Sequence, residues 1–469
     1  MDAVADAVAD AVADAMAEHA DRGGWLTRWL DRLRATAWWE LILRSGTVLL
    51  VRVAGAGLGF AFNVALARLL GADGLGIYHL SLTFALIASV VGRLGMDAAM
   101  LKFAATAQAA QDRTGLLALH RMGMATAALG CGLVAGCTFI AADAVATAVY
   151  ADPAMAQPLR LMSLALLPFA LLNLYGELLK AGHHQALSSL VQGAALPLIS
   201  LLLLWAFAAE IQSASAAAAI YLAANVLVFA LSFFWWRRTV PRADSAGQTR
   251  VPWRRLMATA MPMYGSAMAD VVMTFSDVLI LGLFVAAADV GIYTAAARTA
   301  LLTRFLLLAN SAVAAPRFAA LHAAGDHLGL ARLARRSTLL TTVSSVPLLL
   351  IFLLWPEQIL SLFGPQFEAG APVLMVLTLG QFVNAATGPV GYLLNMCGFH
   401  RIEGRIAVVG AVLTAGLCFA LIPFWGVLGA AAANAIATAA CNLLRVYVAH
   451  SRLGILMLPL PARFGAPRP

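Results

Sequence analysis

Ionisable side chains interrupt several long apolar segments of this sequence, where a charge is costly unless it has a partner or water. Arg298 and Arg304 lie in one such segment, and Asp270 and Asp277 lie in the segment before it. Guanidinium groups in a water-filled cavity would bind pyrophosphate or acidic sugars through bidentate contacts. The two aspartates are seven residues apart, hence on one helical face, where they would suit a proton or a cation as coupling ion.

A structural alternative exists for these four residues, because the arginines and the aspartates could be counter-ions of one another. Sequence spacing alone leaves both interpretations open. We therefore name Arg298 and Arg304 as candidates for lining a substrate cavity, and Asp270 and Asp277 as candidates for ion coupling.

Arg52 and Asn63 form a third candidate pair, in the first apolar segment. They are eleven residues apart and return to the same helical face. Gly55, Gly57 and Gly59 lie between them and make the helix thin. We predict that this face lines the same cavity; the alternative is that Arg52 snorkels to the lipid headgroups.

Two further charged pairs have the spacing of local ion pairs on a helix. Asp97 follows Arg93 by four residues, and Lys180 follows Glu177 by three. Such neighbours face each other on a helix surface, so we predict structural ion pairs here rather than ligand sites.

No enzyme motif accompanies these charges. The sequence has no Walker A motif, and no loop on the acidic side of the predicted membrane topology is long enough for a catalytic domain. The five cysteines lie in apolar segments without the C-x-x-C spacing of a metal site. We expect no catalytic residues, no cofactor and no bound metal.

The composition indicates the elements that must position these residues. Of the 469 residues, 62% are hydrophobic and only 12% are charged, against about 25% in soluble domains. The mean hydropathy is +0.85. The apolar runs continue for about 20 residues, the length of a spanning helix, without the alternation of a β-barrel. The sequence therefore predicts an all-α membrane protein.

Twelve apolar segments are long enough to be membrane spans. Their predicted ranges are 46–68, 77–101, 117–140, 157–179, 186–208, 214–236, 257–284, 291–315, 338–356, 371–395, 404–424 and 427–448.

These spans divide the chain into two groups of six. We predict an N-terminal six-helix bundle over 46–236, a basic linker over 237–256 and a C-terminal six-helix bundle over 257–450. Residues 1–45 combine an acidic tail with an interfacial amphipathic helix, and 451–469 form a second tail.

Basic residues alternate with the spans. Segments on the side of the N-terminus hold 25 of the 31 lysines and arginines, Arg445 among them, whereas the opposite loops carry acids. The positive-inside rule then predicts that both termini are cytoplasmic. Topology accounts for most of the basic excess, so nucleic acid is excluded as a partner.

The stretch "ARLLGADGLGIY", residues 67–78, has an echo in "FVAAADVGIY", residues 284–293. The two match at an offset of 215 residues, which skips an even number of spans. We therefore predict a parallel repeat: two pseudo-symmetric bundles around a central cavity. We expect the first stretch to be a short loop in which Gly71, Gly74 and Gly76 let the chain reverse.

Four stretches resemble the oligosaccharide flippases of bacterial polysaccharide synthesis, in the multidrug/oligosaccharidyl-lipid/polysaccharide exporter superfamily. They are "NVALARLLGADGLGIYHL", "GRLGMDAAMLKF", "FSDVLILGLFVAAADVGIYTAAART" and "LIPFWGVLGAAAANAIA". The resemblance implies twelve to fourteen helices and movement of polyprenyl-pyrophosphate-linked sugar units for O-antigen, capsule or exopolysaccharide. It also implies the bacterial cytoplasmic membrane, lipid contacts and coupling to H⁺, Na⁺ or the membrane potential. We expect a monomer, and association with polysaccharide assembly proteins stays open.

Two other functions compete with this one. A multidrug antiporter of the same superfamily would need acids to outnumber bases in its cavity, whereas Arg52, Arg298 and Arg304 favour the opposite. A membrane-embedded glycan polymerase would need a sizeable polar catalytic loop, which the sequence lacks.

Overall fold

A computed structural model describes residues 37–239 and 252–459, with side chains from residue 46 onward except that of residue 312. The predicted acidic tail, most of the interfacial helix, most of the basic linker and the end of the C-terminal tail lie outside the described residues. Within the described part of the chain, residues 37–50 belong to a different unit from those that begin at Val51, and the candidate site residues all lie in the second unit.

Every regular element among the described residues is helical. The first half contains α1 (Ala37–Arg93), α2 (Met96–Ala109), α3 (Arg113–Ala144), α4 (Ala156–Ala181), α5 (Gln185–Ser189), α6 (Ala195–Ala206) and α7 (Ala214–Thr239). The second half contains α8 (Trp253–Leu281), α9 (Ala287–Ala300), α10 (Arg304–Ala323), α11 (His327–Leu354), α12 (Pro356–Leu360), α13 (Ala371–Ala386), α14 (Val390–Met396) and α15 (His400–Leu453).

Ten helical segments in the described part of the chain are long and apolar enough to cross a membrane. Two of them, Gly46–Arg93 with 48 residues and His400–Leu453 with 54, are more than twice the length that one crossing needs. Each contains one non-helical glycine, Gly71 and Gly426, at the boundary between two predicted spans. The ten segments therefore account for the twelve predicted crossings.

The joint at residues 67–78 is not the loop that the sequence suggested. The chain stays helical through this stretch except at Gly71, which has φ 71° and ψ −175°. A positive φ is readily accessible to glycine alone, so a single residue makes the bend. The prediction that three glycines together reverse the chain was wrong, because Gly74 and Gly76 are helical.

Two predicted spans are interrupted by left-handed glycines. The span predicted over 77–101 breaks between α1 and α2, where Gly95 has φ 75°. The span predicted over 371–395 breaks between α13 and α14, where Gly388 has φ 59°. Hydropathy averaged over a window does not detect a change of φ at one or two residues, so these breaks were missed.

The two copies of the repeat contact each other through the same pair of repeat positions in both directions. A Cβ on Gly76 would lie 1.7 Å from the carbonyl oxygen of Ala287, and a Cβ on Gly291 would lie 2.0 Å from that of Ala72. Residues 76 and 291, like residues 72 and 287, are related by the offset of 215. The pseudo-twofold axis therefore passes through this contact, which we call the glycine seam, and the predicted parallel repeat is confirmed.

The end of the molecule that carries the glycine seam, the joint end, is closed. A single apolar core there contains residues of both halves. Phe60 packs edge-to-face on Phe363 with ring centroids 5.5 Å apart, and Arg68 Nε donates to the Leu362 carbonyl at 2.7 Å. At the opposite end, the cores among the described residues are separate for the two halves, apart from the first turns of α8, which pack on the first half.

Candidate functional site

A cavity of about 630 Å³ lies within the second half. Its lining comes from the helices of that half, apart from Thr83, which α1 contributes. The charged and amide side chains that line it are Asp270, Asp277, Arg298, Arg304, Gln381, Asn384, Asn395, Glu403, Asn434, Asn442 and Arg445.

Four of the predicted site residues line this cavity together: Asp270 and Asp277 from α8, Arg298 from α9 and Arg304 from α10. The short 3₁₀ turn Leu301–Thr303 joins α9 to α10. Because this turn is part of one nearly continuous helical path, both arginines reach the same cavity.

Neither Arg298 nor Arg304 makes a hydrogen bond or an ion pair with any residue that the structure describes. Arg304 is exposed and Arg298 is partly exposed, so both guanidinium groups are accessible from the cavity. No carboxylate occupies their donors, as direct pairing with Asp270 or Asp277 would require. An accessible guanidinium with unused donors suits a bidentate anion.

Asp277 is 4% exposed and fully engaged by donors. Its carboxylate accepts from Tyr293 Oη at 2.6 Å, from Asn434 Nδ2 at 2.8 Å and from the backbone N–H of Val278 at 2.8 Å. Three donors satisfy a buried carboxylate without a cation. In this arrangement Asp277 ties α8 to α9 and α15.

Only the second half has an acid at this position of the repeat. The residue of the first half that corresponds to Asp277 is Phe62, whose ring lies 6.4 Å from that of Tyr78. Tyr78 corresponds to Tyr293, but its buried hydroxyl has no partner among the described residues. The two halves therefore share a backbone arrangement and differ in the chemistry of its polar groups.

Asp270 differs from Asp277 in its surroundings. Its side chain is exposed to the cavity and has no hydrogen-bond partner among the described residues. Arg304 and Arg445 are close enough to interact with it electrostatically. A carboxylate in such a position remains free to bind a proton or a cation.

A chain of hydrogen bonds on the cavity wall was missed by the sequence analysis. Arg445 Nε donates to Glu403 Oε1 at 2.8 Å, Asn442 Nδ2 donates to Asn384 Oδ1 at 3.2 Å, and Asn384 Nδ2 donates to Gln381 Oε1 at 3.3 Å. Arg445 Nη1 also donates weakly to Asn442 at 3.5 Å. The chain connects α15 to α13.

Arg445, which the sequence analysis grouped with the cytoplasmic basic residues, lies inside α15 near the end of the last predicted span and lines the cavity. A signal was present in the sequence: Glu403 directly precedes one predicted span, and Arg445 lies at the far end of the next one. Adjacent antiparallel spans would bring these two residues to the same end of the bundle. The amides carry no charge and gave no comparable signal.

Arg52 and Asn63 do not line this cavity. Arg52 is exposed. Asn63 Nδ2 donates to the Gly59 carbonyl at 2.7 Å, and its Oδ1 lies 2.9 Å from His79 Nε2. Their assignment to a substrate cavity stays a prediction.

Both predicted local ion pairs are confirmed. Arg93 Nη1 lies 2.9 Å from Asp97 Oδ1, and Lys180 Nζ lies 2.7 Å from Glu177 Oε1. Gln192 Nε2 donates to the same Glu177 oxygen at 2.9 Å. These charges are paired within the first half.

Comparison with solved structures relates this fold to membrane transporters. An inward-facing multidrug resistance MATE family transporter of the MOP superfamily has a TM-score of 0.71 at 12% identity, covering 87% of this chain and 98% of its own. The lipid II flippase MurJ in an inward closed conformation has a TM-score of 0.69 at 14% identity, covering 87% of both chains.

A third similar structure is a MOP superfamily transporter from Pyrococcus furiosus, for which a binding pocket of reversed polarity suggests a different function. Its TM-score is 0.65 at 11% identity, covering 88% of this chain and 95% of its own. At these identities the similarity shows the fold alone. Among curated proteins, none matches this sequence.

Family models give a closer assignment. The model described as MatE matches residues 262–420. The model described as polysaccharide biosynthesis protein matches residues 43–322, which is more than half of the chain. With twelve predicted crossings, a parallel repeat and the fold of MOP superfamily transporters, the chain belongs to the polysaccharide biosynthesis protein family.

Proposed function

We propose that this protein is a flippase that moves polyprenyl-pyrophosphate-linked oligosaccharide units across the bacterial cytoplasmic membrane by alternating access. The sugar–pyrophosphate headgroup would enter the cavity while the polyprenyl tail stays in lipid. Such units are the building blocks of O-antigen, capsule and exopolysaccharide. The proposal treats the protein as a transporter and not as an enzyme.

The two free guanidinium groups of Arg298 and Arg304 carry this proposal. Three acids and three bases line the cavity. Asp277 is engaged by three donors and Glu403 pairs with Arg445, so the free groups are two arginines and one carboxylate, Asp270. The three acids and three bases balance in formal charge, and it is the free N–H donors of the two guanidinium groups that suit a pyrophosphate ligand.

The closed joint end fits one half of a transport cycle. With both termini in the cytoplasm, as the basic residues predict, the joint end faces outward. The described arrangement is then closed on the outside, and substrate would be loaded from the inner leaflet. A gradient of H⁺ or Na⁺ acting on Asp270 or Asp277 would supply the free energy for a protein that works as a monomer among membrane lipids.

One observation favours a second candidate, a cation-coupled multidrug antiporter. The MatE family model matches residues 262–420, the region that contributes most of the cavity lining. Asp270 is the free acid that a cationic drug would contact. This function predicts that removing Asp270 abolishes transport and that removing the arginines does not.

The test is deletion of the gene in its host, followed by measurement of lipid-linked sugar intermediates and of the finished polysaccharide. We expect intermediates to accumulate on the cytoplasmic leaflet and polymer to disappear. Normal polymer with normal intermediates would exclude the flippase.

Complementation of the deletion strain then tests the site. Arg298→Ala and Arg304→Ala should fail to restore polymer at normal membrane levels of protein. Arg332→Ala is the matched control, because Arg332 is an arginine outside the cavity. Restoration by both cavity variants, with loss on Asp270→Asn, would favour the antiporter.

A further inference from the structure

The first half contains a cluster of buried polar groups that the cavity chemistry does not use. Tyr78, His79 and Thr83 lie close together on α1 and are 1%, 2% and 1% exposed. Each carries a buried polar atom without a partner among the described residues: Tyr78 Oη, His79 Nδ1 and Thr83 Oγ1. Buried polar atoms in native proteins are nearly always satisfied, so three unsatisfied ones within two turns of one helix need an explanation.

The hydrogen bonds around His79 define which ring nitrogen is free. Asn63 donates through Nδ2 to the Gly59 carbonyl, so its Oδ1 is the atom that faces His79 Nε2. A carbonyl oxygen accepts, and Nε2 must therefore carry the proton. In neutral histidine the other nitrogen, Nδ1, is then an unprotonated base.

A single charged side chain acts on His79 among the described residues. It is Arg298, which belongs to the second half. Tyr78 and Tyr221 are the other titratable groups near that guanidinium, and a phenol with an ordinary pKa of about 10 is neutral at working pH. Asp277 also acts on Arg298, and three uncharged donors hold its carboxylate in place.

We propose that Nδ1 of His79 is a proton-binding site whose occupancy opens the joint end. A hydronium ion in the opened seam gives its proton to Nδ1 and leaves as water, and the imidazolium then carries N–H donors on both nitrogens. In the closed arrangement Arg298 lines the same cavity as Thr83, which is one helical turn from His79 on α1, and its charge acts on the His79 ring. Protonation of that buried ring therefore adds a second positive charge in the field of the first, which disfavours closure.

Linkage makes this relation reciprocal: if closure weakens proton binding, proton binding weakens closure by the same factor. One linked proton changes the ratio of open to closed molecules by at most about tenfold per pH unit. The proposal rests on the alternating-access part of the proposed function and is independent of which substrate is carried.

The test measures the width of the joint end directly. Leu69 and Phe284 are related by the repeat offset and are both exposed, at 39% and 46%. Spin labels there lie outside the core, and the Phe284 label replaces only an edge contact with the exposed Phe419 ring. With the five native cysteines replaced, the distance between labels is measured in lipid nanodiscs between about pH 8 and about pH 5.5, which brackets the ordinary histidine pKa. We expect a longer-distance population to grow as the pH falls.

Two variants test whether His79 and Arg298 cause this response to pH. His79→Gln can still donate to Asn63 but cannot take up a proton, and it should keep the closed distance across the whole pH range. Arg298→Gln removes the opposing charge, and its response should be weaker than that of the parent protein. A full acid response in either variant, or none in the parent, would overturn the proposal. Because no substrate is present, failure here leaves the flippase test untouched.

Discussion

Substituting Gly76 by alanine should push the two sides of the glycine seam apart by steric overlap. The added Cβ would start 1.7 Å from the Ala287 carbonyl oxygen, whereas real Cβ contacts are essentially never shorter than 3.0 Å. That oxygen belongs to a backbone and cannot rotate away, so the two halves must move apart. We expect Gly76→Ala to shift the protein away from the closed joint end.

The size of the shift follows from the cost of overpacking. Inserting a methyl group into a tight contact costs about 1–3 kcal/mol. That cost changes the ratio of closed to open molecules by about five- to 140-fold. Alanine also favours a helix over glycine by about 1 kcal/mol. Gly76 is helical, and that gain applies equally to both states, so it raises thermal stability without compensating the shift.

The assay is therefore the label distance between Leu69 and Phe284 and not a melting temperature. Gly57→Ala is the matched control, because Gly57 is also in α1 and a Cβ added there would have no atom within 4 Å. Gly291→Ala should mimic Gly76→Ala. The double variant should cost less than the sum of the two, because one separation relieves both clashes. Fully additive shifts, or a Gly76→Ala variant that behaves like Gly57→Ala, would refute the shared seam.

Three further outcomes are expected. Asp277→Asn places an amide donor among the donors that now serve the carboxylate and should destabilise by about 1–3 kcal/mol, more than Tyr293→Phe, as thermal unfolding in detergent would report. Glu403→Gln should lower the melting temperature by leaving Arg445 unpaired, and adding Arg445→Gln should recover part of the loss; no recovery would contradict the pairing. Arg298→Lys keeps the charge but loses the planar fork, so transport should fall while protein levels stay normal.

The span count and the repeat could be predicted from sequence because each leaves a pattern in short stretches of residues. A crossing needs about 20 apolar residues in a row, and a parallel repeat leaves short matches such as Gly-Ile-Tyr at a constant offset. The grouping of Arg298, Arg304, Asp270 and Asp277 in one cavity also follows from spacing along adjacent helices.

The turns could not be predicted in the same way. Gly71 and Gly76 look alike in the sequence, yet one has φ 71° and the other is helical and makes the seam. A glycine permits both uses, and the choice depends on which backbone approaches it in the folded protein. Ala287, which makes that choice at Gly76, is more than two hundred residues away.

The amide groups of the cavity were hidden for a different reason. Asn384 and Asn442 are joined through space by a hydrogen bond between two helices, and neither residue is unusual in its own segment. Charges inside a membrane attract attention because they are costly, whereas amides are tolerated in many positions. Only the tertiary packing of α13 on α15 gives them a role.

The repeat separates two tasks that a transporter must combine. Closure of the joint end depends on a feature that both halves have. Gly76 and Gly291 contact each other at the axis because both copies have the same backbone conformation there. The charged group lies at a position where the two halves differ, because Arg298 corresponds to Thr83 in the first half. Thr83 lines the same cavity with a neutral hydroxyl, so the proposed anion site is confined to one side of the axis. A symmetric pair of arginines would repel each other across the closed seam. Placing the charge in one half allows the seam to close and still leaves a guanidinium for the proposed anionic substrate.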